Sequence, residues 1–195
     1  MDPSDIDRSH AFRAIAADAE IPSRRRLVCM KKSVLQKPDP QLDLVLDRVV
    51  EVPRELVWKA WTQPEHLKAW YTPRPWRTIH CEIDLQPGGI FRTVMQAPEG
   101  GATVDNVGCY LEVVLGERLV WTDTLLPGWR PADGTRFGMT VVLELQSIGE
   151  STRYVATALH KDEKGRQRHE QMGFHNGWAT ALDQLIEHIK ATTAT

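Results

Sequence analysis

Hydrophobic and polar residues alternate with a period of two through most of the chain, which is typical of β-strands with one buried face. The first such segment is Leu42–Val52, where leucines alternate with Asp43 and Asp47 before the pattern becomes more continuously apolar. Further segments are predicted as strands at Arg77–Leu85, Ile90–Gln96, Thr103–Leu115, Leu119–Leu125, Phe137–Gln146 and Thr152–Leu159. Glycine-containing turns separate them, and connections this short cannot hold crossover helices. The pattern therefore predicts an antiparallel meander.

Two short helical segments lie between the first strand and the meander. Pro53 suits the first position of one helix, whose apolar face includes Trp61. Pro64 begins a second helix, for which Thr62 and Glu65 have the spacing of a capping box. The prolines therefore predict two helices and exclude a single long one.

The last predicted element is one long amphipathic helix from about residue 166 to residue 190. Its apolar residues fall on one arc at helical spacing: Phe174, Trp178, Leu182, Leu185 and Ile189. Gly173 and Gly177, continued by Ala181, form a strip without large side chains on this helix. Each glycine inside a helix costs about 1 kcal/mol relative to alanine, so the pair needs a reason. The strip either leaves room for a ligand or lets the helix approach a strand closely.

The composition of the chain excludes several classes of protein. A length of 195 residues with 42% hydrophobic residues supports one domain, and a net charge of −2 gives no general attraction to nucleic acid. The apolar runs are too short to span a bilayer, so we expect no membrane insertion. Cys29, Cys81 and Cys109 are odd in number and form no CxxC pair, which together with the missing signal sequence favours the cytoplasm.

The N-terminal region differs from the rest in composition. We expect residues 1–40 to be a flexible leader and residues 41–192 to form the domain. Met30 begins a plausible shorter version of the protein, so residues 1–29 are predicted to be dispensable. The basic cluster at Arg24–Arg26 is interpreted as part of a solvated tail, with a nucleic-acid or membrane arm as the alternative.

Several short motifs, taken in order, resemble one branch of the START-like (SRPBCC) superfamily. They are Val52-Pro53 with Val57 and Trp61, Pro64 to Trp70, Pro87-Gly88-Gly89 with Phe91, Gly108 with Leu111-Glu112, Arg118 to Trp121, Thr152-Arg153, and Gly173-Phe174 with Gly177-Trp178 and Leu182. The branch is the family of activators of the heat-shock-protein-ninety ATPase. The resemblance covers residues 42–190 and implies an α+β helix-grip fold, in which a curved antiparallel sheet wraps around a long C-terminal helix.

In such a fold an apolar cavity is expected between the sheet and the long helix. Tryptophan suits the wall of a cavity for a ring-bearing ligand, although ordinary core packing is the alternative for each one. Trp129 lies in the loop 127–134 and is interpreted as a lid or as a rim residue without function. The residues predicted to line the cavity are Trp70, Trp76, Phe91, Arg92, Tyr110, Trp121, Trp129, Phe137, Met172 and His175.

The sequence offers one histidine for catalysis. His175 falls on the apolar arc near Leu182, where it is either a core residue, a polar anchor in the cavity or an acid–base group. His169 points about 120° away on the same predicted helix, so the two histidines cannot share a metal ion. His160 is interpreted as part of a solvated surface, with a polar rim formed together with Arg168 as the alternative. We therefore predict no metal site, no cofactor and no established catalytic group.

Three functions remain open at this level. The first is binding of a small hydrophobic or aromatic molecule without catalysis. The second is a cavity enzyme, because the superfamily includes aromatase/cyclases, with His175 as the acid–base group. The third is a co-chaperone that stimulates a chaperone ATPase, which the resemblance implies. A homodimer is a further possibility, because sheet edges of this kind can pair with a second copy of the chain.

Overall fold

The structure is a computed structural model that describes residues 37–134 and 137–193. The helices within these ranges are α1 (Arg54–Thr62), α2 (Pro64–Trp70), α3 (Glu163–Gln171) and α4 (Phe174–Thr193). The strands are β1 (Asp43–Val50), β2 (Arg77–Ile83), β3 (Ile90–Gln96), β4 (Thr103–Val114), β5 (Arg118–Thr122), β6 (Leu125–Leu126), β7 (Arg130–Pro131), β8 (Met139–Ile148) and β9 (Ser151–His160). The expectations for residues 1–29, including Cys29 and the basic cluster, lie outside the described residues.

Seven of the strands form one antiparallel sheet in the order β1-β9-β8-β5-β4-β3-β2. The neighbours β2 to β5 and the pair β8–β9 are consecutive in sequence, as short hairpin connections require. The first strand, β1, pairs with the last strand, β9, from Asp43 opposite Leu159 to Val50 opposite Thr152. The predicted α+β fold class with a helix-grip arrangement is therefore confirmed. A small hairpin of β6 and β7, which the pattern did not predict, follows β5.

Helices α1 and α2 follow β1 as predicted, but their caps differ from expectation. Pro53 is the N-cap of α1 and not its first helical residue. The capping-box prediction for α2 was wrong, because Gln63 occupies the N-cap without a side-chain bond. The Thr62 hydroxyl instead donates to the Trp58 carbonyl at 2.8 Å, inside α1. Proline at the first position still starts α2, since its missing N–H would have no partner there.

The predicted long C-terminal helix is confirmed as α4, but its predicted start at about residue 166 was wrong, because the chain forms α3 and α4 with a break between them. Gly173 adopts a φ of 94°, a left-handed conformation that glycine reaches without a steric penalty. Its N–H donates to the Glu170 carbonyl at 2.9 Å, which closes the end of α3. Gly173 is therefore a helix terminator, and of the pair Gly173 and Gly177 it is Gly177 that lies inside a helix.

The core lies between the inner face of the sheet and the helices. The apolar face of α4 is buried at Phe174, Leu182, Leu185 and Ile189, as its periodicity predicts. In α1, Trp61 is 2% exposed and its ring centroid lies 4.9 Å from that of Trp70 in α2. The tryptophans of the two short helices thus fill the space beside the sheet.

Candidate functional site

A cavity of about 320 Å³ lies between the sheet and α4. Its wall is mainly apolar, with side chains from α1 and α2 on one side and from α3 and α4 on another. The aromatic residues that line it are Trp61, Trp70, Tyr71, Phe91, Trp121, Phe137, Tyr154, Phe174 and Trp178. The cavity is the feature of the described residues with the shape and polarity of a small-molecule site.

The alternation of β3 decides which side chains reach the cavity. Phe91, Thr93 and Met95 line it, because residues two apart lie on the same face of a strand. Arg92 lies on the opposite face and forms a bidentate ion pair with Asp105, at 3.0 and 2.7 Å. Asp105 holds the pKa of Arg92 above its usual range. The prediction that Arg92 lines the cavity was therefore wrong.

Helix α4 faces the cavity with its smallest residues. A Cβ atom added at Gly177 would meet no other atom within 4 Å, so this glycine borders open space. Ala181, one turn later, also lines the cavity. Close approach of a strand therefore does not explain Gly177.

Besides the phenols of Tyr71 and Tyr154 and the tryptophan indoles, four residues bring polar side chains to the cavity: Thr93, Asn106, Asp123 and His169. Thr93 and Asn106 lie opposite each other on β3 and β4. The Asp123 carboxylate accepts hydrogen bonds from the backbone N–H groups of Phe137, Gly138 and Met139 at 2.8 to 3.3 Å. Asp123 thereby fixes the start of β8.

His169 is 6% exposed and belongs to a buried pair of histidines. Its Nδ1 lies 2.9 Å from Nε2 of His160, whose own Nδ1 lies 3.0 Å from the Leu42 carbonyl oxygen. Burial, with a smaller contribution from His160, lowers the pKa of His169 to about 4. His169 is therefore neutral at pH 7. The interpretation of His160 as a solvated surface residue was wrong, because β9 buries it against α3.

Burial also keeps the phenols and the thiol near the cavity neutral. It raises the pKa of Tyr71, Tyr110 and Tyr154 above the usual range, and it raises the pKa of Cys81 to about 11. An ionised nucleophile is therefore not expected from these groups at neutral pH. Of these groups, Tyr71 and Tyr154 line the cavity, where their neutral rings contribute shape and apolar contact.

The wall formed by Trp70 and Tyr71 is held in place by Gln184 of α4. The buried Gln184 amide donates to the carbonyl oxygens of Trp70 at 2.8 Å and Thr72 at 3.0 Å. Its Oε1 accepts from the Arg74 N–H at 2.9 Å. This single side chain satisfies three backbone groups of the segment that follows α2. Sequence reasoning missed it because a glutamine on a helix gives no signal of burial.

Half of the residues predicted to line a ligand cavity are found in the wall of this one: Trp70, Phe91, Trp121, Phe137 and Met172. Met172 is 54% exposed and lies where the cavity reaches the surface. The remaining predicted residues lie elsewhere: Trp76, Arg92, Tyr110, Trp129 and His175. The role of the lining residues in binding stays a prediction.

The misplaced residues have separate physical explanations. His175 is in the first turn of α4, where its side chain is 56% exposed and its Nε2 lies 3.8 Å from Oε1 of Glu170. Tyr110 is fully buried behind Phe91, with the two ring centroids 5.5 Å apart. Trp76 is half-buried outside the cavity. Trp129 packs on the turn before β3, since a Cβ at Gly88 would lie 2.9 Å from its Nε1.

The helix-grip sheet, the long C-terminal helix and the cavity between them define a START-like (SRPBCC) protein. A family model described as "Activator of Hsp90 ATPase homolog 1-like protein" matches residues 51–190, and the chain belongs to this family. No match was found among curated proteins. Within the described residues, no group of three or more His, Cys, Asp or Glu side chains is placed to hold a metal ion. No helix in the same ranges has the length and apolar content needed to cross a bilayer.

Solved structures support the same fold. The chain is similar to a Nitrosomonas europaea protein of known crystal structure, with 47% identity over 81% of this chain and 100% of that chain and a TM-score of 0.77. It is also similar in fold to an Aeromonas hydrophila AHSA1-like protein, with 22% identity, a TM-score of 0.62, and coverage of 79% and 96%. A Mycobacterium smegmatis protein has 20% identity, a TM-score of 0.66, and coverage of 78% and 93%.

Proposed function

We propose that the protein binds one small hydrophobic, ring-bearing molecule in the cavity between the sheet and α4. The observation that supports this most strongly is the aromatic wall facing open space at Gly177. A helix-interior glycine costs helix stability, and here no neighbouring group requires the side chain to be absent. Keeping space for a guest is a physical reason for it.

The size and polarity of the cavity narrow the proposed ligand class. A volume of about 320 Å³ is at the lower end of the roughly 300–1,000 Å³ typical of ligand pockets, which suits a compact ring system. Offset and edge-on contacts with aromatic rings would stabilise a flat ligand. The phenols of Tyr71 and Tyr154 stay neutral at pH 7, so they add no charge to the wall.

Binding without catalysis is favoured over a cavity enzyme. His175, the acid–base group suggested by the sequence, does not line the cavity. His169 does, but a pKa of about 4 makes it a weak base at neutral pH, where effective general bases have pKa values near the operating pH. The described residues of the cavity therefore offer no well-matched acid–base group.

The proposal is tested by filling the cavity from α4. Gly177→Leu places a side chain in the open space and is expected to lower the affinity for 2-methoxynaphthalene, a neutral apolar probe, at least about tenfold. Thr180→Leu on the exposed side of the same helix is the matched control and should bind normally. Native mass spectrometry of the wild-type protein should in addition show a co-purified small molecule that Gly177→Leu lacks.

Two binding results would contradict the proposal. If neither this probe nor the corresponding free phenol, 2-naphthol, binds the wild-type protein, or if Gly177→Leu binds them as tightly as the wild type, the cavity is not the binding site. Unfolding experiments on Gly177→Leu guard against misfolding. The variant is expected to be at least as stable as the wild type, because leucine is the better helix former by roughly 1 kcal/mol.

The family match supports a co-chaperone role as the second candidate function. Contact with a chaperone would use the surface, where Leu115, Ile148 and Val49 expose apolar side chains. A pull-down with an Hsp90-type chaperone and an assay of its ATPase rate distinguish this role, because Gly177→Leu should leave both unchanged. The same exposed residues are candidates for a homodimer contact, which sedimentation analysis would detect.

A cytoplasmic location is part of the proposal. Cys81 and Cys109 are both buried and free, which suits a reducing compartment. Fractionation of cells that produce the full chain tests this directly. Recovery from a membrane or extracellular fraction would contradict it.

A further inference from the structure

The Leu42 carbonyl determines which nitrogen donates in each hydrogen bond of the buried pair His160 and His169. The Leu42 carbonyl oxygen can only accept, so Nδ1 of His160, 3.0 Å away, carries a proton. In a neutral imidazole the other nitrogen is then an acceptor, which makes His160 Nε2 the acceptor of the next bond. His169 Nδ1, at 2.9 Å, must therefore donate to it.

Leu42, His160 and His169 thus form a hydrogen-bonded relay, and its last nitrogen is Nε2 of His169, which carries no proton. Burial keeps His169 neutral at pH 7 and lowers its pKa to about 4. A neutral imidazole with its proton on Nδ1 has a lone pair on Nε2. Hydrogen bonding through the other ring nitrogen thus sets which tautomer His169 presents.

His169 presents this tautomer at the wall of the cavity. Its ring stacks on Phe137 at a centroid distance of 4.4 Å and meets Phe174 edge-on at 5.1 Å, so packing holds its orientation. The residue lines the cavity, and its Nε2 makes no hydrogen bond with any residue in the described ranges. The acceptor is therefore available to a guest.

The other polar groups of the cavity do not discriminate in the same way. The Asn106 amide and the Thr93 hydroxyl each contain both a donor and an acceptor, so they can adapt to either kind of ligand atom. Both oxygens of Asp123 already accept backbone N–H groups. The phenols of Tyr71 and Tyr154 likewise contain both a donor and an acceptor. The Asp123 carboxylate can only accept, as His169 Nε2 does, but its oxygens are engaged by the backbone of residues 137–139, whereas His169 Nε2 has no such partner among the described residues.

On this basis we propose that His169 Nε2 accepts a hydrogen bond from the ligand, so that the cavity selects ring-bearing molecules with an O–H or N–H donor. The inference rests on the proposed binding function and refines it by naming the ligand class as phenol-like or indole-like. It also assigns specificity to a residue outside the C-terminal helix. Leu42 and His160 then act as positioning groups, since they set the tautomer without touching the ligand.

Two probes that differ by one methyl group test the selection. Calorimetric titration should show that 2-naphthol binds the wild-type protein about fivefold more tightly than 2-methoxynaphthalene, as a net hydrogen bond of roughly 1 kcal/mol gives. Equal affinities would overturn the selection by His169 while leaving the binding function intact. Absence of binding by both probes would instead remove the binding function and the inference with it.

His169→Asn removes the acceptor at the Nε2 position, because the shorter asparagine side chain has no atom there, and it keeps the hydrogen bond to His160, because the amide nitrogen takes the place of Nδ1 and donates. The ratio of the two affinities should fall to about one in this variant, through weaker binding of 2-naphthol only. Unchanged binding of 2-methoxynaphthalene shows that the variant is folded. A preserved fivefold preference would assign the selection to another group.

A measurement on the wild-type protein keeps the test independent of folding in the variant. Two-bond ¹H–¹⁵N correlation spectra of the imidazole nitrogens report the tautomer of each histidine. We expect His160 and His169 both to carry the proton on Nδ1 at pH 7.5. A proton on Nε2 of His169 would reverse the donor and the acceptor and overturn the proposal.

Discussion

The buried His169 should make the stability of the fold depend on pH between 7 and 5. In the unfolded chain an imidazole has a pKa of about 6.5, and in the folded protein burial lowers the pKa of His169 to about 4. The unfolded state therefore binds a proton at a pH where the folded state does not. The corresponding stability is present above pH 6.5 and is lost as the pH falls toward 4.

The magnitude follows from the difference in proton affinity. Each pKa unit corresponds to about 1.4 kcal/mol, and between pH 7 and pH 5 a shift of this size removes at most about 2 kcal/mol from the free energy of unfolding. Much of the stability of a small domain would be at stake, since domains of this kind are stable by roughly 5–15 kcal/mol. Asp47 and Asp105 have pKa values held low by Arg153 and Arg92, respectively. The stability that these two ion pairs contribute is therefore lost at more acid pH.

Urea unfolding followed by tryptophan fluorescence at pH 7 and pH 5 measures this loss. His188 also has a lowered pKa, caused mainly by burial, so the wild-type protein loses stability from more than one group. The difference between the wild type and His169→Asn isolates His169, because asparagine does not titrate. An equal loss of stability in both proteins, or an NMR titration that gives His169 a pKa near 6.5, would refute the reasoning.

Two glycines one helical turn apart should respond to alanine with opposite signs. Gly173→Ala forces a side chain into a φ of 94° and is expected to lower the free energy of unfolding by roughly 1–2 kcal/mol, whereas Gly177→Ala should raise it by about 1 kcal/mol. Urea unfolding of both variants checks this, and a loss at Gly177 would contradict the open space assigned there. Gln184→Met should cost about 1–3 kcal/mol and speed hydrogen exchange at the Arg74 amide, because buried backbone groups lose their partner. Glu187→Gln, which weakens only the exposed ion pair with Arg74, is its control and should change stability by less than about 1 kcal/mol.

The sheet was predictable because its signal is local and repeated. Alternation along Ile90–Gln96 and Thr103–Val114 places one face in the core, and short turns leave only antiparallel pairing. The same alternation excludes Arg92 from the cavity, since Phe91 and Thr93 on either side face inward. The sequence therefore contained enough information to place this residue correctly.

The break between α3 and α4 could not be read from the apolar arc. The arc begins at Phe174, so it is compatible both with a helix that starts there and with one that starts earlier. Gly173 reveals the break through its backbone conformation, which sequence periodicity does not report. With two helices, His169 belongs to α3 and His175 to the first turn of α4, so their relation on one helix no longer applies.

The role of His169 depends on contacts between distant parts of the chain. His160 is on β9 and Leu42 precedes β1, and only the pairing of these strands brings the Leu42 carbonyl to the ring. Burial of a histidine pair is likewise a property of the folded state. A candidate of this kind can be found from a structure, whereas the residue type alone favours an exposed position for it.

The two faces of β3 make this strand a convenient place to redesign the protein. Its outward Arg92 is tied to Asp105 on β4 and helps to hold the pairing of the two strands, while its inward Phe91, Thr93 and Met95 form part of the cavity wall. If the cavity binds a ligand as proposed, libraries at the three inward positions can vary that ligand without disturbing the ion pair on the outside. The strand then separates the ion pair that supports strand pairing from the side chains that would set ligand preference, so new specificities can be selected on an unchanged framework.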